Sequence, residues 1–143
     1  MEGICKLCGE QKILLNKSHI IPEFMYRSLF DEHHQIHKFE PNSYFSGESK
    51  IQKPSSGDYE GSLLCAECDN ERIGDLESYA APFLYAKGDL PDHIKAVVKN
   101  YRGEDGFGYS TIGNTNYTKF KLFLLSILWR ASVSKRDFFL KLI

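Results

Sequence analysis

Apolar positions form short clusters at the start of the chain and lengthen towards its end. Ile13-Leu14-Leu15 stands between Lys12 and Asn16-Lys17 and predicts a short strand ending in a turn. Ile20 and Ile21 precede Pro22, and the residue before a proline is pushed towards extended geometry. Pro22 suits the first turn of a helix. Glu23 to Phe30 is read as that helix, with Met25 over Leu29 and Tyr26 over Phe30 at i,i+4. Ile73, Leu76, Ala80 and Phe83 recur at three- and four-residue steps, which predicts an amphipathic helix starting near Asp69 and kinked or ended by Pro82. Ile94, Val97, Val98 and Tyr101 share one side of a further helix read over Pro91 to Tyr101. Phe107, Tyr109 and Thr111 alternate as in a half-buried strand. The last pattern is a long helix from about Tyr117 to Ser134, capped by Asn116 or Thr118. It is nearly apolar all round between Leu122 and Trp129. Such a helix is expected either in the middle of the core or buried against a partner, a second copy of the chain included.

The polar stretch Asp31 to Tyr59, punctuated by Pro41, Gly47, Pro54 and Gly57, interrupts these elements. Ile36 to Phe39 and Tyr44-Phe45 are read as short strands within it. So long a loop in a compact domain points to function or to an insertion, here near 31–60. The organisation expected is a domain over 1–85 carrying that insertion, and a mainly helical extension over 86–143 packed on it. The apolar finish from Phe138 to Ile143 has no stop signal and is read as a sequence cut from something longer, in preference to a docked terminus.

Composition narrows the classes. The chain has 143 residues, 42% of them hydrophobic and 26% charged, and this excludes wholesale disorder. The run Leu122 to Trp129 falls well short of the roughly 20 residues that cross a bilayer, and Arg130 follows it. No basic start with an apolar stretch precedes Cys5, so a cytoplasmic protein is expected. The net charge of −1 neither advertises nor forbids a polyanionic partner.

The four cysteines change the picture. Cys5-Lys6-Leu7-Cys8 and Cys65-Ala66-Glu67-Cys68 are two CxxC turns separated by 56 residues. Disulfides do not persist in a reducing compartment. Each CxxC turn aims two thiolates at one point, so the pair reads as one tetrahedral zinc site on Cys5, Cys8, Cys65 and Cys68. The alternatives are a thioredoxin-like redox pair, which needs only one such turn, and two unrelated cysteine pairs.

Nine residues after the first turn comes Ser18-His19-Ile20-Ile21-Pro22, and later Leu64-Cys65-x-x-Cys68-Asp69-Asn70 opens a helix. This order resembles the HNH endonucleases, the ββα-metal nucleases whose zinc-bearing members carry a CxxC turn on either side of an Asp-His-Ile-x-Pro strand. The resemblance covers roughly residues 4 to 80. The end of the long helix, Leu128-Trp129-Arg130-Ala131-Ser132, looks similar to uncharacterised bacterial HNH-like proteins and adds no mechanism.

The resemblance implies an α+β fold, a treble-clef ββα-metal zinc fold with additional helices, and hydrolysis of DNA phosphodiester bonds. Such chemistry needs a base to activate water and a cation to take up charge on the phosphate. Carried over by motif, His19 matches the general base and Asp69 the ligand of a catalytic divalent ion, Mg²⁺ or Mn²⁺, while the zinc is structural. Arg72, three residues after Asp69, looks like a basic position near the last ligand and is expected to clamp a phosphate. Lys12, Lys17, Arg27, Lys50 and Lys53 are further candidates for backbone contacts.

The departures from the pattern set the alternatives. Ser18 stands where many HNH proteins have Asp, and a serine hydroxyl is a poor metal ligand. Glu60 is the candidate to supply the missing carboxylate, with Asn70 and Glu77 as others. Glu77, two turns beyond Asp69, is awkwardly far for a direct ligand. His19 can instead be a buried histidine bracing the zinc hairpin, and Asp69 the N-cap of its helix. His33-His34-Gln35-Ile36-His37 reads as a solvated stretch, and His93 has no evident partner. The rival to the nuclease is therefore a catalytically inactive zinc module that binds nucleic acid or a protein.

Overall fold

Backbone hydrogen bonds draw the two CxxC segments together before any side chain is considered. The computed structural model describes residues 1–36, 57–85, 95–136 and 139. Strand β1 (Glu2–Ile4) pairs antiparallel with β2 (Gln11–Ile13), and the first CxxC turn forms their connection. Gly9 ends that turn at φ 74°, a conformation few other residues adopt, and its N–H donates to the Cys5 carbonyl at 2.9 Å. The N–H of Lys6 donates to the Leu63 carbonyl and that of Leu15 to the Leu64 carbonyl, both at 2.9 Å, and Leu14 bridges to Cys65. The second turn therefore lies alongside the first.

Strand β3 (Ser18–His19) pairs antiparallel with β4 (Tyr59–Glu60), Ser18 opposite Glu60 and His19 opposite Tyr59. Between them, Glu23–Leu29 is a 3₁₀ helix rather than the α-helix expected, and it buries Phe24 and Tyr26. The i,i+4 pairs read from its sequence do not apply, because residues three apart eclipse in this tighter coil. The Tyr26 hydroxyl donates to the buried Asp58 carboxylate at 3.0 Å.

After Cys65 the chain enters a wide π-helical run, Glu67–Ile73, that continues as helix α1 (Gly74–Tyr85). Pro82 lies inside α1 without ending it. Ile73 and Ala80 are buried, as their spacing predicts.

The helix expected over 91–101 is not what forms where the chain is described. Val97–Arg102 is strand β5, paired along its length with β6 (Gly108–Gly113). Val97, Val98 and Tyr101 fit a strand as well as one side of a helix, and β-branched and aromatic residues favour the former. The turn Gly103 to Gly106 closes the hairpin, with the Asp105 carboxylate accepting from the Phe107 N–H at 3.1 Å. Tyr101 stacks on Tyr109 directly opposite, ring centroids 5.2 Å apart. Neither strand is half-buried: all twelve residues are exposed. The second half of the chain thus carries a hairpin before its helix.

Helix α2 (Tyr117–Val133) matches its expected span, and the Asn116 side chain caps it by accepting from the Lys119 N–H at 3.0 Å. Two apolar clusters hold the fold. One joins Cys5, Leu14, Leu63, Leu64, Cys65, Cys68 and Ile73, with Trp129 and Val133 of α2 packed on it. The other joins Phe24, Ala80 and Phe123, so α2 sits against α1 and the 3₁₀ helix. On the remaining side of α2, Leu122, Leu124, Leu125 and Leu128 are exposed. No helix among the described residues is long and apolar enough to cross a membrane. The strands expected at Ile36 to Phe39 and Tyr44-Phe45 lie largely or wholly outside the described residues.

Phe123 is fully buried, with its ring 5.9 Å from that of Phe24 and 6.3 Å from that of Phe120. Phe123→Ala is expected to lower the unfolding free energy by about 3–5 kcal/mol in a urea titration. Leu128→Ala on the exposed side should change it by less than about 0.5 kcal/mol. Equal effects at the two positions would contradict the packing of α2 described here.

Candidate metal centre and the site beside it

The four sulfur atoms of Cys5, Cys8, Cys65 and Cys68 lie within 4.8 Å of one another, close enough to hold one metal ion. Cys5, Cys65 and Cys68 are buried and Cys8 is partly so, and no disulfide joins them. The Cys65 N–H donates to the Cys5 sulfur at 3.4 Å. Burial opposes ionisation of Cys5, but the backbone N–H groups of Cys8, Cys65 and Leu7 outweigh it and lower its pKa to about 6. Burial pushes the Cys68 thiol the other way, and the neighbouring thiols add to the shift. A ready thiolate at Cys5 beside a Cys68 thiol that resists ionising is what a cation would relieve, because a bound metal deprotonates its thiol ligands. Among the described residues no other trio of His, Cys, Asp or Glu side chains gathers in this way.

Asp69 follows Cys68 directly. Its N–H donates to the Cys65 carbonyl at 3.0 Å, which places it inside the helical run, and the N-cap position belongs to Ala66. Helix capping therefore does not account for Asp69. π-helical segments often occur at functional sites. Burial holds the Asp69 carboxyl above the usual carboxylate range, even though the Ser18 hydroxyl, Arg130 and His19 all favour its charged form. Ser18 is 1% exposed, and its Oγ lies near enough to Asp69 to favour the carboxylate without meeting full hydrogen-bond geometry.

His19 is half-buried, its ring edge-on to Tyr59 with centroids 6.1 Å apart. The Lys17 ammonium lies over the same tyrosine ring at 4.4 Å. The His19 carbonyl accepts from Nη1 of Arg130 at 2.8 Å. Ser18, His19 and Asp69, named from sequence, thus come together at the end of the short hairpin and the start of the helix.

Other candidates have different partners. The Glu60 carboxylate accepts from the Ser134 hydroxyl at 2.6 Å and from the Lys135 N–H at 3.0 Å. Glu77 pairs with Arg130 at 2.7 Å. Arg72 pairs with Glu67 at 2.7 Å, and Lys12 bonds the same carboxylate. Asn70 is exposed. His34 stacks on Phe30 and meets Glu23 at 3.1 Å, while His33 lies 3.7 Å from Glu32. His37, Lys50, Lys53 and His93 lie outside the described residues.

The residue that sequence reasoning passed over is Arg130. Its guanidinium is 2% exposed, and besides His19 and Glu77 it donates through Nε to the Ser126 carbonyl at 3.2 Å. The available signal was a lone cation at the end of an apolar helical run, which needs an acidic partner if it is buried. Compared with protein-family models, curated proteins and solved structures, the chain finds no match.

Proposed function

We propose that this chain is an HNH-like endonuclease that hydrolyses DNA phosphodiester bonds, built as a treble-clef ββα-metal fold on a structural zinc held by Cys5, Cys8, Cys65 and Cys68. The observation that carries the reading is the gathering of the buried Ser18 hydroxyl, His19 and the Asp69 carboxyl at one place. A hydrated cation against Asp69 would offset the burial of its charge. Four sulfurs suit zinc, whereas a carboxylate with water oxygens suits Mg²⁺ or Mn²⁺.

Such an ion supplies stabilisation of charge on the phosphate and the leaving oxygen. Asp69 would hold it in its ionised form, and activity would then fall on the acid side as the carboxyl takes up a proton. His19 accepts the proton of the attacking water. Its half-exposed ring, held edge-on by Tyr59, leaves that water room to approach. Arg72 reaches a phosphate only by giving up Glu67.

The test is plasmid cleavage with added Mg²⁺ or Mn²⁺. The wild type is expected to nick or linearise the plasmid. Asp69→Asn should cut more than about 10²-fold more slowly, since even the partners that orient metal ligands account for 10–100-fold. The second reading, an inactive zinc module that binds nucleic acid or a protein, draws on Ser18 in place of a carboxylate and on Glu60 being taken up by Ser134 and Lys135. Zinc-loaded wild type that leaves the plasmid intact with either ion would select it.

A further inference from the structure

The end of helix α2 reaches back across the chain to the hairpin that carries Ser18 and His19. We propose that Arg130 is a positioning residue for His19: its buried guanidinium joins the His19 carbonyl on β3 to Glu77 on α1, so that α2 is part of the site and not an appendage to it. The proposal rests on the nuclease reading for its consequence, and on geometry for its existence.

The geometry is specific. Nη1 donates both to the His19 carbonyl at 2.8 Å and to Glu77 Oε1 at 2.7 Å, across 111 and 53 residues of sequence. Nε and Nη2 are turned to the carbonyl and hydroxyl of Ser126, one turn earlier on α2, so the guanidinium is aimed by its own helix. With 2% exposure it cannot meet a substrate, which rules out direct contact with phosphate. What it touches is the backbone of the residue whose ring does the work. The segment after it holds the other strand of the same hairpin. The Ser134 hydroxyl donates to Glu60 at 2.6 Å, and Arg136 Nη1 donates to the Tyr59 carbonyl at 2.7 Å.

A two-residue strand pair has little rigidity of its own. Left to itself, β3 would place the His19 ring over a range of positions. A displacement of about 1 Å of a reacting group can cost 10²-fold in rate. Fixing the His19 carbonyl from outside the hairpin removes that freedom.

A purely structural arginine would also be damaging to remove, because it would leave Glu77 without its partner. The deciding variant is therefore the pair Arg130→Met with Glu77→Gln, which takes away both charges and keeps side chains of similar length. Two quantities are read on zinc-loaded full-length protein: kcat for plasmid cleavage, and the nuclear Overhauser contact between the His19 and Tyr59 rings. The expected result is a folded pair variant with cooperative unfolding, its ring contact weakened or lost, kcat down about 10²-fold and KM unchanged. A folded pair variant that keeps the ring contact and the wild-type kcat overturns the proposal. Glu77→Gln alone leaves the bond to His19 in place and is expected to keep the ring contact. Its loss in that folded variant would also overturn the proposal, whatever the pair does. Wild type that shows the ring contact but cuts no DNA ends the nuclease reading alone, and the positioning role is then judged on the ring contact.

Discussion

Stripping zinc with a strong chelator is expected to unfold the N-terminal half of the chain. Three of the seven residues in its apolar cluster are the cysteines Cys5, Cys65 and Cys68, so the candidate metal centre is built into that cluster. The four strands of this half have two or three residues each and form two separate two-stranded sheets. Strand pairs of that size do not stand alone in water. Structural zinc contributes about 10–16 kcal/mol in small zinc-binding peptides, which equals or exceeds the whole stability of an ordinary domain. Far-ultraviolet circular dichroism should therefore collapse on chelation and return with Zn²⁺ but not with Mg²⁺. Trp129, the only tryptophan, packs against this cluster, and its emission should shift to the red in the same step. Cys65→Ser should produce the same loss without a chelator. A protein verified to be free of zinc that keeps its dichroism and its Trp129 emission would sink the four-cysteine centre.

Acid should act in the same direction. Cys5 ionises near 6 in the fold and at 9.0 in an open chain, so its thiolate favours the folded state. A lowered pKa contributes stability that is complete above the unfolded value and disappears as pH falls through the folded one. In the metal-free fold, the contribution of Cys5 to stability should thus be complete above pH 9 and be lost as pH falls towards 6, read as the unfolding midpoint in a urea titration at each pH.

How much of this was legible before the structure depended on whether chemistry or packing set the pattern. The CxxC pairs were legible because metal ligation imposes the spacing directly, and the sulfurs do converge. Helix α2 was legible because its period is sustained and Asn116 offers a cap. The segment around Val97 misled because valine and tyrosine at those intervals satisfy either period, and only the turn at Asp105-Gly106 favoured a hairpin. The 3₁₀ helix was misread for a related reason, since seven residues after a proline do not distinguish 3.0 from 3.6 residues per turn. In the site, Ser18, His19 and Asp69 came from a motif. Arg130 did not, because its meaning lies in a contact 111 residues away that no local pattern encodes.

His19→Ala is expected to abolish plasmid cleavage, slowing it by about 10²–10⁴-fold, the range that a positioned general base supplies. The fold should survive the substitution. The backbone of His19 carries the structural load, pairing with Tyr59 and accepting from Arg130, and an alanine keeps both. Its ring contributes an edge contact to Tyr59 and is only half-buried, so truncation should leave zinc content and the unfolding transition close to wild type. That separation is the point of the experiment. A histidine that merely braced the hairpin would reveal itself as lost stability with cleavage reduced only in proportion. A base would reveal itself as lost cleavage at unchanged stability, with partial recovery when imidazole is added to fill the space the ring has left. The contrast with Cys65→Ser is then complete, for that variant should lose structure and activity together. Cleavage that persists in folded His19→Ala at the wild-type rate would place the base elsewhere and remove the mechanism proposed for this site.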